Sequence, residues 1–351
     1  MGWRTGTFHE NYAQEMAILN SKGKWGALAA LLVLLFVCPL FLSDRMLTIL
    51  TTMGIAVVSA HGLNILTGYC GQISIGHSGF MAVGGYTSAI LCAKLGWPFW
   101  VALPCGALAA GLAGLIFGLP SLKIKGFYLI MATIAAQFII IWVIIQLRSI
   151  TGGTDGLLVP KPAIGGLSLS SKINYYYLVL VFAVLATITA HNIVRTRSGR
   201  AFIAIRDNDL AAEVMGVSLW RYKLQAFFIG CIYAGAAGSL LLHYVRFASI
   251  EQFPFWDSVW YLGMLIVGGM GSTAGAIFGV IALKLLDELV TVAGPILAAA
   301  VAPQAAASLA LISHGLIIIV FLIFEPRGLY HRWEMIRAYF RLWPFSHEAA
   351  E

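Results

Sequence analysis

The side chains that could support chemistry in this chain are few, and most of them lie within long apolar runs. The histidines placed in this way are His61, His77, His243 and His314. Two histidines on facing helices can ligate haem, so their placement is compatible with a membrane redox protein. The sequence has no HExxH motif, no carboxylate-rich histidine cluster and no regular histidine spacing. This favours histidines that pack and hydrogen-bond inside a helical bundle.

A second polar group lies in residues 67–89, TGYCGQISIGHSGFMAVGGYTSA, which contain six glycines in twenty-three residues. In a bilayer, non-helical backbone is tolerated only where it is buried in protein or lines a cavity. We therefore expect the polar residues of this stretch to face the interior of a helical bundle. They are Gln72, Ser74, His77 and Ser78, and Gly76, which lies among them, is added as a candidate for the path. They either line a translocation path or form hydrogen bonds between helices, and the sequence leaves both open.

Ionisable side chains also occur within a late apolar run. Lys284, Asp287 and Glu288 are spaced i, i+3 and i+4, which places them on one face of a helix. Such residues in a membrane span are candidates for function, but this trio can also neutralise itself. We favour a structural ion pair over a proton relay. A secondary transporter would need more coupling carboxylates near the bilayer midplane than these.

Known catalytic and nucleotide-binding motifs are missing from the sequence. It has no GxxxxGK[ST] phosphate-binding loop, no nucleophile elbow and no protein-kinase motif. We therefore expect no catalytic residue, and no cofactor or metal bound by this chain. If ATP drives the protein, another subunit must bind the nucleotide.

The composition indicates a membrane protein. Of 351 residues, 60% are hydrophobic and only 11% are charged, and the mean hydropathy is +0.87. Soluble domains have about 25% charged residues. The five cysteines lie in or beside apolar runs and form no CxxC pair, so they are interpreted as core residues.

About ten apolar segments are long enough to be considered as membrane spans. They cover roughly residues 26–42, 46–66, 76–93, 99–119, 127–147, 175–194, 224–244, 256–270, 274–292 and 309–324. Glycines at 71–79 and 268–275 predict that two of these segments are broken or re-entrant. The predicted fold class is thus an all-α, polytopic membrane helix bundle.

The distribution of positive charge predicts the orientation of the bundle. With the N-terminus inside, fifteen of the 22 Lys and Arg residues fall in inner loops, six in outer loops and one in a span. Because Lys and Arg accumulate on the cytoplasmic side, both termini are predicted to be cytoplasmic. The same rule explains the net charge of +7 without a nucleic-acid partner.

The predicted segments divide the chain as follows. Residues 1–25 form a cytoplasmic N-terminal segment, 26–324 a transmembrane domain and 325–351 a cytoplasmic tail. Within the domain, the cytoplasmic loop 195–223 has mixed charge, and the external loop 148–174 is rich in glycine, proline and serine.

Five stretches, in order, make the chain similar to a known family. They are GQISIGHSGFMAVGGYTSA (71–89), TGGTDGL (151–157), SGRAFIAIRDNDLAAEVMGVSLWRYKLQAF (198–227), VGGMGSTAGAIFGV (267–280) and EPRGL (325–329). Together they resemble the LivM-type permeases of branched-chain amino acid ABC importers over nearly the whole chain. The resemblance implies a multi-pass permease in a bacterial inner membrane.

The resemblance also implies a coupling site for an ATPase. Importers of this kind carry a Glu-Ala-Ala-x-x-x-Gly loop that docks in a cleft of the ATPase. Here the two alanines and the glycine match, while Leu210 replaces the glutamate. The predicted coupling residues are Arg200, Arg206, Asp209, Ala211, Ala212 and Gly216. The two arginines are expected to pair with acidic residues of the ATPase, although a mixed-charge stretch can also be a solvated loop.

The partners implied by the resemblance are a second, LivH-like permease, two ATPases that use ATP and Mg²⁺, and an external solute-binding protein, all assembled in membrane lipid. The implied substrates are leucine, isoleucine and valine, with urea, short amides or aromatic acids as alternatives. For the translocation path we add the external residues Thr151, Gly152 and Gly153 to the polar group at 72–77. A secondary transporter and a haem protein remain as remote alternatives.

Overall fold

A computed structural model describes residues 22–119, 126–164, 167–168, 171–300 and 328–342, together with residues 315, 316, 319 and 323. Its helices are α1 Lys22–Val37, α2 Asp44–Leu63, α3 His77–Leu95, α4 Phe99–Gly118, α5 Phe127–Gln146, α6 Arg148–Thr151, α7 Lys172–Arg195, α8 Arg197–Asp207, α9 Asp209–Val214, α10 Leu219–Val245, α11 Phe255–Gly268, α12 Thr273–Ala300 and α13 Leu329–Leu342. A π-helical segment, Asn64–Tyr69, continues α2.

Strands are short and lie outside the helices. Strand β1, Leu157–Leu158, pairs antiparallel with β4, Phe247–Ala248. Strand β2, Ala163–Ile164, pairs antiparallel with β3, Leu167–Ser168. The chain is therefore mostly helical, as the sequence predicts, with two small strand pairs added.

Membrane-spanning length is reached by five helical segments among the described residues. They are Asp44–Tyr69, Phe99–Gly118, Phe127–Gln146, Lys172–Arg195 and Leu219–Val245. The pair α11 and α12 adds a sixth if it counts as one bent span. The ten predicted spans and the orientation stay a prediction, because α3 fails the same test and most of 309–324 lies outside the described residues.

Both predicted interruptions occur in the structure. The helical segment that began as α2 ends at Tyr69, and α3 begins only at His77. We call residues 70–76 the first break. Helices α11 and α12 are separated by Gly269–Ser272, the second break, and their axes differ by 116°. Glycines break these helices because they lower helix propensity and permit the left-handed backbone found at Gly71 and Gly271.

Successive loops lie at alternate ends of the bundle. At the end that we call outer, Lys172 Nζ lies 2.9 Å from Asp44 Oδ2, and β1 pairs with β4. At the opposite, inner end, both breaks lie beside the last turn of α8. This grouping agrees with the alternation of loops that the sequence predicts.

Helix α10 packs closely against α3 and α4 because all three carry small residues where they cross. A Cβ atom placed on Gly84 of α3 would overlap the backbone of Gly235 in α10. Ser239 Oγ donates a hydrogen bond to Gly84 O at 3.0 Å. Small residues at such crossings let helix backbones approach, which stabilises helix pairs in lipid by van der Waals contact.

Replacing Gly84 with alanine should destabilise the fold. The added methyl group forces α3 and α10 apart, and overpacking of this kind costs about 1–3 kcal/mol. Thermal unfolding of the purified protein in detergent measures the effect. Gly26→Ala is the matched control, because nothing lies within 4 Å of a Cβ there. Equal melting temperatures for the two variants would contradict the assigned packing.

Candidate functional site

Side chains from α2 join the two breaks at the inner end. Asn64 Oδ1 accepts a hydrogen bond from Gly271 N at 2.9 Å, and Asn64 Nδ2 donates to Ser272 O at 3.0 Å. Tyr69 OH lies 3.2 Å from Thr273 Oγ1. The start of α12 is therefore held directly against the end of the π-helical segment.

Arg206, in the last turn of α8, lies against both breaks. Its Nη1 donates to Gly68 O at 3.2 Å, and its Nε donates to Asp207 Oδ1 at 3.0 Å. A Cβ atom on Gly271 would lie 2.7 Å from the same Nη1. The sequence predicts that this arginine pairs with an ATPase. In the structure its guanidinium contacts groups of its own chain, while the side chain is 37% exposed, so the pairing with an ATPase stays a prediction.

Arg200 lies on the same helix but contacts neither break in the described structure. Its Nη1 donates to Arg195 O at 3.1 Å, and its side chain is exposed. The two arginines that the sequence groups together therefore have different environments. Arg200 remains available at the surface for the predicted pairing with a partner.

Helix α9 forms the surface of the inner end. Asn208 Oδ1 accepts a hydrogen bond from Ala211 N at 3.0 Å and caps the helix. After α9, Gly216 has a φ of 85°, and Val217 N donates to Ala212 O at 2.9 Å, which closes the helix in a Schellman-like turn. The Ala-Ala-x-x-x-Gly part of the predicted coupling loop thus forms a short capped helix.

Three large apolar side chains are exposed on α9 and the residue that follows it, beside the exposed Glu213, and the sequence analysis missed this apolar surface. Leu210, Val214 and Met215 are 66%, 87% and 83% exposed, whereas Ala212 is buried against the protein. Large apolar residues inside an otherwise charged loop are the sequence signal that could have revealed the surface. Clustered exposed apolar residues mark interaction sites.

A polar cavity separates α9 from the first break. It has a volume of about 380 Å³, and its lining includes Gln72, Arg206, Asp209 and Lys223. Lys223 is nearly buried, and its Nζ lies 3.8 Å from Asp209 Oδ2. The predicted coupling residue Asp209 thus holds a lysine at the start of α10, which sequence analysis did not assign to the site.

The predicted path residues at the first break are buried within the protein. Gln72, Ser74 and His77 are 4%, 0% and 1% exposed. His77 Nε2 lies 3.0 Å from Ser59 Oγ. Gly76 packs against the backbone of Thr133. The contact of His77 favours hydrogen bonding between helices, and the lining of a path by these residues stays a prediction.

The first turn of α3 adds further interhelical contacts. Ser78 N donates to Ser258 Oγ of α11 at 2.9 Å, and Gly79 N donates to Gln137 Oε1 of α5. Gln137 Nε2 in turn donates to Phe253 O at 3.2 Å. Gln137 therefore joins α3, α5 and the chain entering α11, a role that sequence reasoning did not assign.

The other predicted path residues lie near the outer end. Thr151 Oγ1 donates to Ile144 O at 2.7 Å and accepts from Gly153 N at 3.1 Å, so it closes the end of α5. Ile144, whose carbonyl Thr151 contacts, follows Thr133 in α5 by eleven residues, about 16.5 Å along the helix at 1.5 Å per residue. The structure therefore does not bring Thr151, Gly152 and Gly153 together with the first break.

An exposed ion pair supports the same outer turn. Arg148 Nη2 donates to Asp155 Oδ2. This hydrogen bond and the carboxylate charge raise the pKa of the guanidinium above its ordinary value. The pair is fully hydrated, so it orients the turn and contributes little to stability.

Of the four histidines singled out in the sequence, His61, His77 and His243 are described, and each has a hydrogen-bond partner within the bundle. His61 Nε2 lies 2.9 Å from Thr187 Oγ1, and His243 Nδ1 lies 2.9 Å from Ser239 O. Among the described residues, no three His, Cys, Asp or Glu side chains are arranged to hold a metal ion. These contacts support the packing interpretation, and His314 lies outside the described part of the chain.

Comparison with known proteins identifies relatives that are similar to most of the chain. Residues 45–322 match the family described as "Branched-chain amino acid transport system / permease component". The high-affinity branched-chain amino acid transport system permease protein LivM of Escherichia coli is 34% identical over 286 residues, which cover 75% of this chain and 67% of that protein. LivM of Salmonella typhimurium is 32% identical over the same shares.

A more distant relative occurs in Methanocaldococcus jannaschii. Its probable branched-chain amino acid transport permease protein LivM is 22% identical over 231 residues, or 65% of this chain and 67% of the relative. No solved structure matches the chain. The family match covers both breaks, α8 and α9, and it shows that the chain belongs to the permease component family of branched-chain amino acid transport systems.

Proposed function

We propose that this chain is the transmembrane permease subunit of an ABC importer that carries leucine, isoleucine and valine across the bacterial inner membrane. It works with a second, LivH-like permease, two ATPases that use ATP and Mg²⁺, and an external solute-binding protein. The observation that carries the proposal is the exposed apolar surface at α9. This helix adjoins α8, whose Arg206 lies against both breaks.

The same proposal includes the finer topology. The end that carries α8 and α9 faces the cytoplasm, together with both termini, because Lys and Arg are concentrated in these loops. With ten spans, successive loops alternate between the two sides of the membrane, which agrees with the count of Lys and Arg in the loops. Chemistry is confined to the ATPases, and this chain is not an enzyme.

Docking of the ATPase uses the three exposed apolar side chains of α9. Fully burying one such side chain contributes about 1.5–3 kcal/mol, which makes this face suitable for an apolar groove. Exposed Arg200 fixes the orientation by pairing with acidic groups. The short helix and the turn at Gly216 keep the contacting surface compact.

Force then passes from α9 to the membrane through α8. Asn208 joins the two helices, and Arg206 contacts the end of the π-helical segment at Gly68 and the second break at Gly271. A displacement of α9 therefore acts on both breaks together. The cavity between α9 and the first break leaves space for such a displacement.

Val214→Asp should detach the ATPase. The substitution places a charge in the proposed apolar groove of the ATPase and removes an apolar side chain that docking would bury. Copurification of the ATPase should therefore fall about tenfold or more. Pull-down of the assembled complex followed by immunoblotting measures the loss. Leu158→Asp is the control, since this residue is 77% exposed but lies at the outer end. Equal loss in both variants would argue against docking at α9.

Arg206→Gln should uncouple ATP hydrolysis from uptake. A hydrogen bond from a charged group is worth about 1.5–3 kcal/mol, so uptake per ATP hydrolysed should fall roughly tenfold or more while the complex still assembles. Proteoliposomes that contain all subunits allow both rates to be measured. Arg197→Gln, at the exposed start of the same helix and outside the proposed docking contacts, should keep the normal ratio. An unchanged ratio in Arg206→Gln would refute the proposed link.

Substrate class is tested by competition for uptake. Excess isoleucine or valine should suppress leucine uptake by the reconstituted complex, whereas urea and benzoate should not. Selectivity lies mainly in the binding protein, because a conducting path binds its cargo weakly. Measured transport of urea or benzoate in place of leucine would assign the permease to one of the alternative substrate classes.

A further inference from the structure

Helix α13 begins directly at the second break. Gly328, just before the helix, has a φ of 81°, and a Cβ atom placed on it would lie 2.5 Å from both N and Cα of Gly269. His331 N donates a hydrogen bond to Gly328 O at 3.1 Å in the first turn. The backbone that leads into α13 is therefore packed against the backbone of the second break, with no side chain between them.

One face of α13 continues the apolar core of the bundle. Leu329, Trp333 and Ile336 are spaced i, i+4 and i+7, so they share a face of the helix. Leu329 packs against the core formed by α2, α11 and α12. The centroid of the Trp333 ring lies 6.4 Å from that of the Phe278 ring in α12. The apolar face of α13 is therefore turned toward the bundle over its first turn.

The same face then extends past the described bundle. Trp333 is 54% exposed and Ile336 is 49% exposed. Phe278 lies in the second turn of α12, up to about 7.5 Å from the start of that helix. Further along α12, Glu288 pairs with Arg45 at the start of α2, so α12 runs away from the inner end. The exposed apolar side chains of α13 thus lie level with the first turns of a bundle helix.

Positive charge borders this apolar face. Residues 327–342, RGLYHRWEMIRAYFRL, contain four arginines and one glutamate. Arg337 is exposed and directly follows Ile336, so it lies at the edge of the face. From such an edge, a long arginine side chain reaches polar headgroups while its helix lies against acyl chains. An apolar face with a tryptophan and a cationic border is typical of helices that lie on a membrane surface.

We propose that α13 lies in the bilayer surface at the inner end, binds the anionic headgroups of phospholipids there, and thereby holds the second break. Helices of this kind bury their apolar face about 5–10 Å into the boundary between headgroups and acyl chains, which agrees with the level of Phe278. Tryptophan is enriched at the same boundary.

The packing of Gly328 passes this anchoring to the second break. A helix held by lipid keeps Gly328 against Gly269, and Arg206 of α8 lies beside Gly271 of the same break. The break is therefore held by two elements, one that reaches the surface helix α9 and one that lies on lipid. The proposal adds a lipid contact to the proposed function and needs no assumption about the transported substrate.

Quenching by lipid tests where the apolar face lies. Ile336→Cys and Glu334→Cys are each labelled with an environment-sensitive nitrobenzoxadiazole fluorophore in the complex as purified from membranes. The labelled complexes are placed in vesicles of phosphatidylethanolamine and phosphatidylglycerol, and the signal of the parent chain with its five cysteines is subtracted. Glu334 is the matched control, because it is exposed on the same helix but about 200° from Ile336 around the axis.

Lipids brominated in the upper part of the acyl chains should quench the label on Ile336→Cys at least about threefold more strongly than the label on Glu334→Cys, because only the first label lies among acyl chains. Equal quenching of the two labels would overturn the proposal. Crosslinking of Ile336→Cys to a partner subunit, without quenching by lipid, would show that protein covers this face and would overturn the proposal too.

A titration of phosphatidylglycerol into phosphatidylcholine vesicles tests the role of charge. When Arg337→Gln is added to the labelled Ile336→Cys variant, the phosphatidylglycerol fraction needed for half-maximal quenching should rise about fivefold, because one cation near the anionic surface is lost. Arg197→Gln, which removes an exposed arginine of α8, should leave this fraction unchanged. Equal fractions for the Arg337 and Arg197 variants would refute the binding of anionic headgroups by α13.

Discussion

Backbone N–H and C=O groups inside a bilayer must find partners within the protein, because lipid chains offer none. This chain contains two stretches of non-helical backbone between apolar helices, and the rest of the bundle is arranged to satisfy them. Thr133 Oγ1 accepts from Ile75 N at 3.1 Å in the first break, and Asn64 serves Gly271 and Ser272 in the second. The breaks are stable because neighbouring helices supply these groups.

The same requirement couples distant parts of the chain. A side chain that satisfies a broken helix connects that helix to its own element, so the two cannot move independently. Asn64 connects α2 to the start of α12, and Gln137 connects α5 to α3 and to Phe253. Arg206 extends the connection to α8 and from there to the surface helix α9. Hydrogen bonds that satisfy the backbone thus also connect the surface helices α8 and α9 to the broken helices.

Close packing of glycine-rich helices gives the breaks a rigid frame. Helices α3, α4 and α10 approach so closely that Gly84, Gly106 and Gly235 leave no space for a side chain. Polar contacts within this frame, such as Ser239 Oγ with Gly84 O, add to van der Waals attraction. Motion is therefore expected at the breaks, whose glycines allow other backbone angles, more than within this three-helix unit.

The sequence by itself determined that the protein is a polytopic membrane protein and where its helices are broken, and it predicted a mixed-charge loop at residues 195–223. Apolar length, glycine position and charge count carry that information. Only the tertiary structure decided that Arg206 contacts Gly68, that Thr151 closes α5, and that Gln137 joins α3 to the chain entering α11. In a bilayer, both the lipid-facing and the packed faces of a helix are apolar, so hydrophobic periodicity does not reveal how each helix is rotated or which helices it meets.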